Sequence, residues 1–404
     1  MAECGIDIIE ISRIQRAVKK NERFLAKVFS KSEIEYFLST GKRMETLAGF
    51  FAAKEAYGKY KKTGLKGLTL SEISVEHQKQ GAPYIAYKGK RQNVTLSISH
   101  NKTCAVAVVL GEEQQEFCCD AEMKDLIPKR DANAHKGDCG RVLVVAGSEG
   151  MTGAAVLCAL GALRAGSGLV TVAVPKEERH IVAVSVPEAI TVGLESKNGM
   201  ICERSMTKIL SHAKKSDAVV FGPGLGKTED IKAILKTLLC EYEKSLVIDA
   251  DGLNALSHDC DTLKQRRCSI VITPHPGEMA RLIKKTAAEV NEDRMKTAVD
   301  FAQKYGVCVV LKGKNTVIAD EKGNARVNNT GNCGMATGGT GDVLSGVITS
   351  FLGQGLTPFE GASLGTYIHG KAGDIAAKEK GIYGMIAGDV AETIPLAIKT
   401  EIEG

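Results

Sequence analysis

The sequence predicts a small α+β domain followed by a larger α/β domain with a doubly wound sheet. The chain has 404 residues, more than one hydrophobic core usually fills. The first block combines charge-rich helical stretches with a few short strands, whereas from Arg141 onward buried strands alternate with helices rich in Ala and Gly. Between the blocks, the polar segment 111–116 indicates a boundary. We therefore expect a first domain at residues 1–115, a linker at 116–127 and a second domain at 128–404.

The composition is that of an ordinary globular protein and argues against two functional classes. Apolar residues make up 44%, charged residues 25%, and the net charge is +5. The charge is not gathered into the basic stripe of a nucleic-acid binder, and no apolar run is long enough to span a bilayer. Asp7 and Glu10 interrupt the N-terminus before a signal-like stretch could form. The twelve cysteines lack paired spacing, which predicts reduced thiols in a cytoplasmic protein.

The doubly wound sheet is predicted by short apolar runs that alternate with helical patterns. Continuous apolar runs are typical of strands covered on both faces, as in parallel sheets. Ligands of such sheets bind beyond the carboxyl ends of the strands, and the unusual motifs of this half follow predicted strands. The runs are Val142–Ala146, Leu169–Val174, Ala218–Phe221, Leu246–Ile248, Ile270–Ile272 and Val307–Leu311.

A glycine-rich turn between a strand and a helix is the sharpest motif. Asn328–Asn332 is followed by Ala336–Asp342, and a helical pattern begins at once. Glycines let successive N–H groups face one point, and a helix start adds its positive dipole end, which suits a phosphoryl group in transfer. Asp342 would then be the general base that takes a proton from a substrate hydroxyl. The alternative interpretation is purely structural: the segment is an ordinary tight turn, and Asp342 caps the N-terminus of the helix.

Four further loops follow predicted strands of the same sheet. One is glycine-rich, one carries carboxylates, one holds an imidazole between two prolines, and one carries lysines that could meet nucleotide phosphates. Each alone is more often a structural turn than a site, but their convergence favours a binding site. The loops are Gly222–Gly226, Asp249–Leu256, Thr273–Glu278 and Lys312–Thr316.

Together these motifs resemble the ADP/ATP-dependent NAD(P)H-hydrate dehydratases of the ribokinase-like superfamily, from about Pro128 to the C-terminus. The resemblance implies dehydration of the (6S)-hydrate of NADH or NADPH, with nucleotide as phosphoryl donor and Mg²⁺ bridging the phosphates. It implies that the hydrate contacts Ala154, Gly224, His275 and Asp342. It places the adenine nucleotide against Lys312, Gly313, Lys314, Asn315, Thr316, Gly339, Thr340 and Gly341.

A small-molecule kinase of the same fold is the alternative for this half. Such a kinase would share the glycine-rich turn and Asp342. The loops Asp249–Leu256 and Thr273–Glu278 favour the dehydratase, because together they resemble that branch and not the sugar kinases.

The first block carries two carboxylates on separate predicted elements. Asp7 lies in an opening strand, and Glu55 shares a helix face with Lys59, four residues later. Two such carboxylates could hold Mg²⁺ beside a phosphate. A strand ends at His100. By composition alone, these residues are ordinary surface groups, and the helical pair contributes about 0.3–0.5 kcal/mol.

In combination, however, the block resembles the holo-[acyl-carrier-protein] synthases, a phosphopantetheinyl-transferase-like family. The matching segments are Gly5–Ile8, Arg13–Ile14, Phe29–Glu33, Leu47–Ala56 and Ser97–His100. The resemblance implies transfer of 4′-phosphopantetheine from coenzyme A to a serine of apo acyl carrier protein. It implies that Mg²⁺ is bound by Asp7 and Glu55, that Lys59 and His100 are catalytic, and that coenzyme A contacts Arg13, Lys42, Arg43, Lys59 and His100.

One position departs from this family, because Phe50 stands where members often carry Arg after Leu-Ala-Gly. The departure removes a phosphate contact, although Lys42 and Arg43 are near in sequence. The resemblance also implies a homotrimer through the first domain. The alternative for this half is a non-catalytic module for oligomerisation or for docking a carrier protein.

Overall fold

The structure, a computed structural model, describes residues 2–20, 23–61, 69–78, 81–92, 94–112 and 120–403. The chain forms two compact units, residues 1–114 and 115–404. Residues 116–119 of the predicted linker lie outside the described residues. Residues 120–126 form a helix, and Met123 is fully buried in the core of the larger unit. This part of the predicted linker therefore packs with the larger unit.

In its described residues, the smaller unit has two antiparallel three-stranded sheets, in the orders β1-β6-β5 and β2-β3-β4, and four α-helices. The α+β character predicted from the sequence is confirmed. Its elements are β1 (Ala2–Glu10), α1 (Ile11–Lys20), α2 (Arg23–Val28), α3 (Lys31–Ser39), α4 (Met44–Tyr60), β2 (Ile73–His77), β3 (Pro83–Tyr87), β4 (Lys90–Arg91), β5 (Thr95–His100) and β6 (Cys104–Glu112).

Helix α4 is the central element of the smaller unit, and β1 passes against it at backbone distance. A Cβ added at Gly5 would lie 2.0 Å from the carbonyl oxygen of Ala56, so only glycine fits there. Leu47, Ala52 and Ala53 of α4 are fully buried. The small side chains on this helix let the sheet that contains β1 approach closely. This packing fixes the orientation of α4 and therefore the position of Glu55.

A buried ion pair joins α4 to α3. Lys54 and Glu33 have fully buried side chains, and their charged groups are 2.7 Å apart. The Lys54 ammonium also donates to the carbonyl oxygens of Val28 and Leu70, each at 2.8 Å. Glu33 accepts from the backbone N–H of Val75 at 3.0 Å. Both charged groups therefore have partners, although removing them from water costs free energy. The pair links α3 and α4 to the segments that contain Val28, Leu70 and Val75.

The larger unit is the doubly wound α/β domain that the sequence predicts. Its elements are α5 (Asp120–Leu126), β7 (Arg141–Val145), α6 (Thr152–Arg164), β8 (Leu169–Pro175), α7 (Arg179–Ser185), β9 (Ile190–Leu194), β10 (Ser196–Lys197), β11 (Met200–Ile201), α8 (Met206–Ala213), β12 (Ala218–Phe221), α9 (Glu229–Glu241), β13 (Ser245–Ile248), α10 (Asp251–Leu256), β14 (Ser269–Ile272), α11 (Pro276–Ile283), α12 (Ala287–Glu292), α13 (Arg294–Tyr305), β15 (Cys308–Leu311), β16 (Thr316–Ala319), β17 (Ala325–Asn328), α14 (Thr340–Gly353), α15 (Pro358–Lys380) and α16 (Ala387–Glu403).

The central sheet of the larger unit has nine strands in the order β17-β16-β15-β14-β13-β12-β7-β8-β9. Strands β15 to β9 in this order run parallel, β16 is antiparallel to both of its neighbours, and β17 therefore has the same direction as β15. From β7 the chain winds outward through β8 and β9, then returns to β12 on the other side of β7. The strand order therefore reverses between β7 and β12, where doubly wound sheets bind their ligands.

Both faces of this sheet are covered by helices, which explains the continuous apolar runs. Val142 and Val144 of β7 pack into one core with α6, α14, α15 and α16. Leu143 and Val145 point into the second core, with α9, α11 and α13. All four side chains are at most 1% exposed. Burial of each contributes about 1.5–3 kcal/mol, so the edge carrying the loops is rigidly supported.

The ten cysteines among the described residues are free thiols, and Cys118 and Cys119 lie outside those residues. Among the described helices, none combines the length and apolar character that crossing a bilayer requires.

Replacing Lys54 tests the buried pair. In Lys54→Met, the Glu33 carboxylate stays buried without its cation, and we expect the free energy of unfolding of the smaller unit to fall by about 3–5 kcal/mol. Urea denaturation of the full chain, followed by far-UV circular dichroism, measures the change. The matched control is Lys31→Met, which breaks the exposed pair with Glu35 and should cost about 1 kcal/mol or less. Equal losses of unfolding free energy in the two variants would contradict a special role for the buried Lys54–Glu33 pair.

Candidate active sites

The site of the larger unit lies at the carboxyl ends of the strands, around the reversal between β7 and β12. The loops after these strands are tied together, since Gly147 N–H donates to the Pro223 carbonyl and the Ser148 hydroxyl to the Gly224 carbonyl, each at 2.8 Å. Gly224 has φ +63°, and a Cβ added there would lie 3.0 Å from the Cβ of Ala154. Two of the four positions predicted to contact the hydrate are therefore neighbours.

A buried ion pair connects the ends of β13 and β15. The Lys312 ammonium donates to Oδ1 of Asp249 at 2.8 Å, and Asp249 is 1% exposed. The Ser345 hydroxyl of α14 donates to Oδ2 of Asp249 at 2.6 Å. Burial would lower the pKa of Lys312, but the charges of Asp249 and Glu278 outweigh burial and raise it. The lysine therefore stays cationic at the edge of the site.

Asp342, the predicted general base, lies beside this pair in the first turn of α14. A Cβ added at Gly341 would lie 3.3 Å from Nζ of Lys312, so the ammonium borders the turn. Burial raises the pKa of Asp342 to about 7; Asp249 acts in the same direction, and Lys312 opposes it. A carboxylate with a pKa near neutrality suits a general base that must release its proton again.

His275 is the N-cap of α11, and its ring lies near the charges of Lys312 and Glu278. Its Nδ1 accepts from the backbone N–H of Gly277 at 3.0 Å, so the proton of the neutral ring is on Nε2. Burial lowers the pKa of His275, and the positive charge of Lys312 adds to the shift. The side chain is 52% exposed, and Nε2 lies 3.6 Å from a Glu278 carboxylate oxygen. The imidazole is therefore a neutral donor near the site.

The glycine-rich turn before α14 has the geometry that the sequence suggests. Gly339 has φ +89°, and a Cβ there would lie 2.4 Å from Cδ1 of Leu157, so this position requires glycine. The Thr340 hydroxyl donates to the carbonyl oxygens of Met335 and Thr337, which closes the turn. Free N–H groups at the start of α14 and its helix dipole then favour an anion here.

A cavity of about 670 Å³ adjoins this turn and contains most of the predicted nucleotide contacts. Its wall includes the loop after β15, the turn after β17, the start of α14 and one face of α15. Among the predicted residues, Gly339 does not line it. Those that do are Lys312, Gly313, Lys314, Asn315, Thr316, Thr340 and Gly341.

Arg294, which belongs to none of the sequence motifs, holds the loop Lys312–Thr316 in place. Its guanidinium donates to the carbonyl oxygens of Leu311 at 2.6 Å, Lys314 at 2.5 Å and Asn315 at 3.2 Å. A Cβ added at Gly313 would lie 3.0 Å from the same guanidinium. Arg294 therefore sets the path of the segment that lines the cavity.

Asp374 of α15 has the same role for the turn after β17. Its carboxylate accepts from Gly331 N–H at 2.9 Å and from the Asn332 side-chain amide at 3.0 Å. The turn lies directly on α15, since a Cβ at Gly370 would lie 2.0 Å from the Thr330 hydroxyl. Glycine is unfavourable inside a helix, so the glycines of α15 were the feature of the sequence that could have indicated this close approach of the turn to the helix.

In the smaller unit, the structure brings together four of the predicted residues. The Lys59 ammonium donates to Asp7 at 2.9 Å. Burial raises the pKa of Glu55; the charge of Asp7 adds to the shift, while Lys59 and Arg13 oppose it. Two adjacent carboxylates that repel each other, supplying hard oxygen ligands, fit a divalent cation such as Mg²⁺. The described residues contain no group of three or more His, Cys, Asp and Glu side chains placed to hold a metal ion.

The other predicted coenzyme A contacts lie elsewhere on the smaller unit. His100 is exposed at the end of β5, where it pairs with Ala105. Lys42 and Arg43 are exposed just before the start of α4, about three turns from Glu55. No contact in the described residues joins these three side chains to the carboxylates.

Phe50, the departure from the family pattern, is a core residue in this chain. It is 3% exposed, and its ring lies 5.8 Å from that of Tyr36 and 6.0 Å from that of His77. Tyr36 and His77 stack on each other at 4.3 Å. An aromatic cluster therefore occupies the position where the family often has a cation.

Comparison with known proteins gives a separate match for each unit. The model of the NAD(P)H-hydrate dehydratase family matches residues 142–396. The model of the 4′-phosphopantetheinyl transferase superfamily matches residues 3–119. The two resemblances recognised from sequence motifs are therefore confirmed.

Individual relatives match the larger unit. A bifunctional NAD(P)H-hydrate repair enzyme of Moorella thermoacetica is 44% identical over 68% of this chain and 52% of its own length. The chain thus spans about half the length of the first such relatives. An ADP-dependent (S)-NAD(P)H-hydrate dehydratase of Neisseria meningitidis is 38% identical over 70% of this chain and 93% of its own. The ADP/ATP-dependent NAD(P)H-hydrate dehydratase of Bacillus subtilis, co-crystallised with ATP and Mg²⁺, is 28% identical, with a TM-score of 0.63 over 72% of this chain and all of its own.

Replacing Asp249 should change the proton affinity of Asp342. In Asp249→Asn, one negative neighbour is lost while Lys312 keeps its charge, so the pKa of Asp342 should fall below about 7. Infrared titration of a chain with ¹³C-labelled aspartate carboxylates measures the shift. Ser345→Ala is the matched control, because it removes a hydrogen bond to Asp249 but keeps the charge. An unchanged Asp342 titration in Asp249→Asn would refute the coupling.

Proposed function

Since the chain belongs to the NAD(P)H-hydrate dehydratase family, we propose that its larger unit dehydrates the (6S)-hydrate of NADH or NADPH, with ADP or ATP as phosphoryl donor. The observation that carries the proposal is Asp342, a carboxylate with a pKa of about 7 between the anion-binding turn and Lys312. The hydrate would lie against Ala154, Gly224 and His275, and the nucleotide would fill the adjoining cavity.

The reaction has two stages. Asp342 takes the proton of the hydrate hydroxyl as that oxygen forms a bond to the terminal phosphorus and the bond to the nucleotide's leaving oxygen breaks. The start of α14 and Lys312 stabilise the charge on the transferred group. Phosphate then leaves with the electron pair of its bond to the ring carbon, and loss of a neighbouring proton restores the dihydronicotinamide. A Mg²⁺ ion, held mainly by nucleotide oxygens and water, would neutralise phosphate charge.

The kinase of a small alcohol remains the rival, because it would use the same turn and base. The carboxylate loop of Asp249 and the His275 loop both reach this site, and they resemble the dehydratase branch, which favours the hydrate as substrate. A chain that consumes ATP with a small alcohol and leaves the hydrate untouched would support the kinase.

Asp342→Asn tests the base directly. We expect recovery of reduced-nicotinamide absorbance from NADH hydrate, with ADP or ATP and Mg²⁺, to fall about 10²–10⁴-fold, because the amide cannot accept the proton. Nucleotide affinity, measured by calorimetry, should change little and serves as the folding control. A variant with near wild-type turnover would exclude Asp342 as the base.

The pH dependence gives an independent test. The active form of the base is the carboxylate, and its pKa is raised to about 7. The value of kcat/KM for the hydrate should therefore fall tenfold per pH unit below about pH 7 and level off above it. A profile that is flat through neutrality would contradict the assignment.

For the smaller unit, we propose Mg²⁺-dependent transfer of 4′-phosphopantetheine from coenzyme A to acyl carrier protein. The group formed by Asp7, Glu55, Lys59 and Arg13 supports it, with the carboxylates as cation ligands. The test is release of adenosine 3′,5′-bisphosphate from coenzyme A in the presence of apo carrier protein. Wild type should release it and Asp7→Asn should not. No release with several carrier proteins would favour the non-catalytic docking module.

We also propose that the smaller unit assembles as a trimer. Ile6 and Ile8 on β1 are 53% and 65% exposed, and Leu110 on β6 is 45% exposed, so these two strands expose apolar side chains on one face. Light scattering should give three times the mass of one chain. Ile8→Glu should lower that mass, whereas Val184→Glu, at an exposed apolar position of the larger unit, should not. A single-chain mass for wild type would refute the trimer.

A further inference from the structure

The nucleotide cavity contains a buried polar atom that the described residues leave unsatisfied. His369 of α15 lines the cavity and is 6% exposed. Its Nε2 has no hydrogen-bond partner in the described part of the chain, and less than 1 Å² of its surface is exposed. Buried nitrogens are nearly always paired, so an unpaired one beside a ligand cavity points to a partner that the ligand supplies.

Among the described residues, three other buried polar side-chain atoms are also unpaired, but their positions differ. They belong to Thr273, Arg294 and Ser363, and none of these residues lines the cavity. Of these four residues with an unpaired atom, His369 is the one that lines the cavity. Ser363 lies on the same helix and is also fully buried, which makes it a natural control.

The surroundings of the ring determine which hydrogen-bonding partner it needs. Burial keeps the ring neutral and lowers the pKa of His369 to about 4; the backbone of Thr340 opposes the shift and Lys312 adds to it. The backbone of Thr340 favours the protonated ring, and a backbone group has this effect when its carbonyl oxygen accepts a hydrogen bond from a ring N–H. Since Nε2 is unpaired, that nitrogen is Nδ1, which carries the proton. Nε2 of the neutral ring then has only a lone pair and accepts.

We propose that His369 is a nucleotide-binding residue whose Nε2 accepts a hydrogen bond from a donor group of the adenine nucleotide. The inference rests on the proposed use of ADP or ATP. Two groups of the nucleotide supply donors, a ribose hydroxyl and the adenine amino group. Phosphate oxygens of the nucleotide are mostly deprotonated near neutral pH and act as acceptors, so they do not match a lone pair.

Calorimetric affinities for four nucleotides test the proposal. The probes are ADP, 2′-deoxy-ADP, 3′-deoxy-ADP and inosine diphosphate, each against wild type, His369→Leu and His369→Gln. In wild type, the analogue that lacks the partner should bind about five- to tenfold more weakly than ADP. His369→Leu should bind ADP weakly by a similar factor and no longer distinguish that analogue. His369→Gln offers an amide oxygen and should restore part of the discrimination.

Ser363→Ala removes a buried unpaired hydroxyl from the same helix and should leave all four affinities unchanged. If His369→Leu discriminates among the four nucleotides as wild type does, His369 is a packing residue and the inference fails. If wild type binds neither ADP nor ATP, the proposed nucleotide-dependent reaction fails as well, so the two failures are distinguishable.

A measurement on the wild-type chain covers the case in which His369→Leu does not fold. The ¹⁵N shift of Nε2 in histidine-labelled protein should move on addition of ADP, because the lone pair becomes an acceptor. The analogue that lacks the donor should leave the shift in place. An Nε2 signal that responds to none of the four nucleotides would overturn the proposal.

Discussion

The contact between Lys312 and Asp249 is the interaction on which the site of the larger unit depends. The two charges lie at the ends of strands separated by β14, and neither could be buried without the other. Asp249 also accepts from Ser345 and from the backbone of Ala250, whose φ of +48° is unfavourable for a residue with a side chain. One carboxylate therefore fixes the lysine, a strained strand end and helix α14. Asp342 belongs to α14, so fixing this helix and Lys312 to the same carboxylate places Asp342 beside the lysine.

The fold of this unit and the outline of its site could be predicted because the signals are local. Apolar runs such as Val142–Val145 identify buried strands within a few residues, and the strand order then places their following loops at one edge. Glycine at 339 is required by its own backbone angle and by Leu157. Such positions are visible in a sequence since the constraint acts on the residue itself.

Other residues of the site could not be predicted, because their partners are distant in the chain. Arg294 reaches carbonyl oxygens 17 to 21 positions away, and Asp374 reaches Gly331 43 positions earlier. His369 has no distinguishing neighbour in the sequence, and its helix has the pattern of any buried helix. The departure at Phe50 was visible, but its burial under Tyr36 and His77 depends on packing that no local pattern encodes.

The two units use similar charges at very different exposures, and this difference decides how strongly water screens each site. In both, a carboxylate with a raised pKa lies beside another carboxylate and a lysine. The Lys312 side chain is 19% exposed, whereas that of Lys59 is 53% exposed. Exposed ion pairs are weak because water screens them, and an anion held by Lys59 and the exposed Arg13 alone would stay hydrated. Catalysis of phosphate transfer gains most from charges shielded from water. The larger unit shields its ion pair from water, whereas the ion pair of the smaller unit includes a lysine that is more than half exposed. Asp7 faces Lys59 of α4, whereas its neighbours Ile6 and Ile8 lie on the opposite face of β1, so the exposed apolar side chains and the carboxylates occupy different faces of that strand.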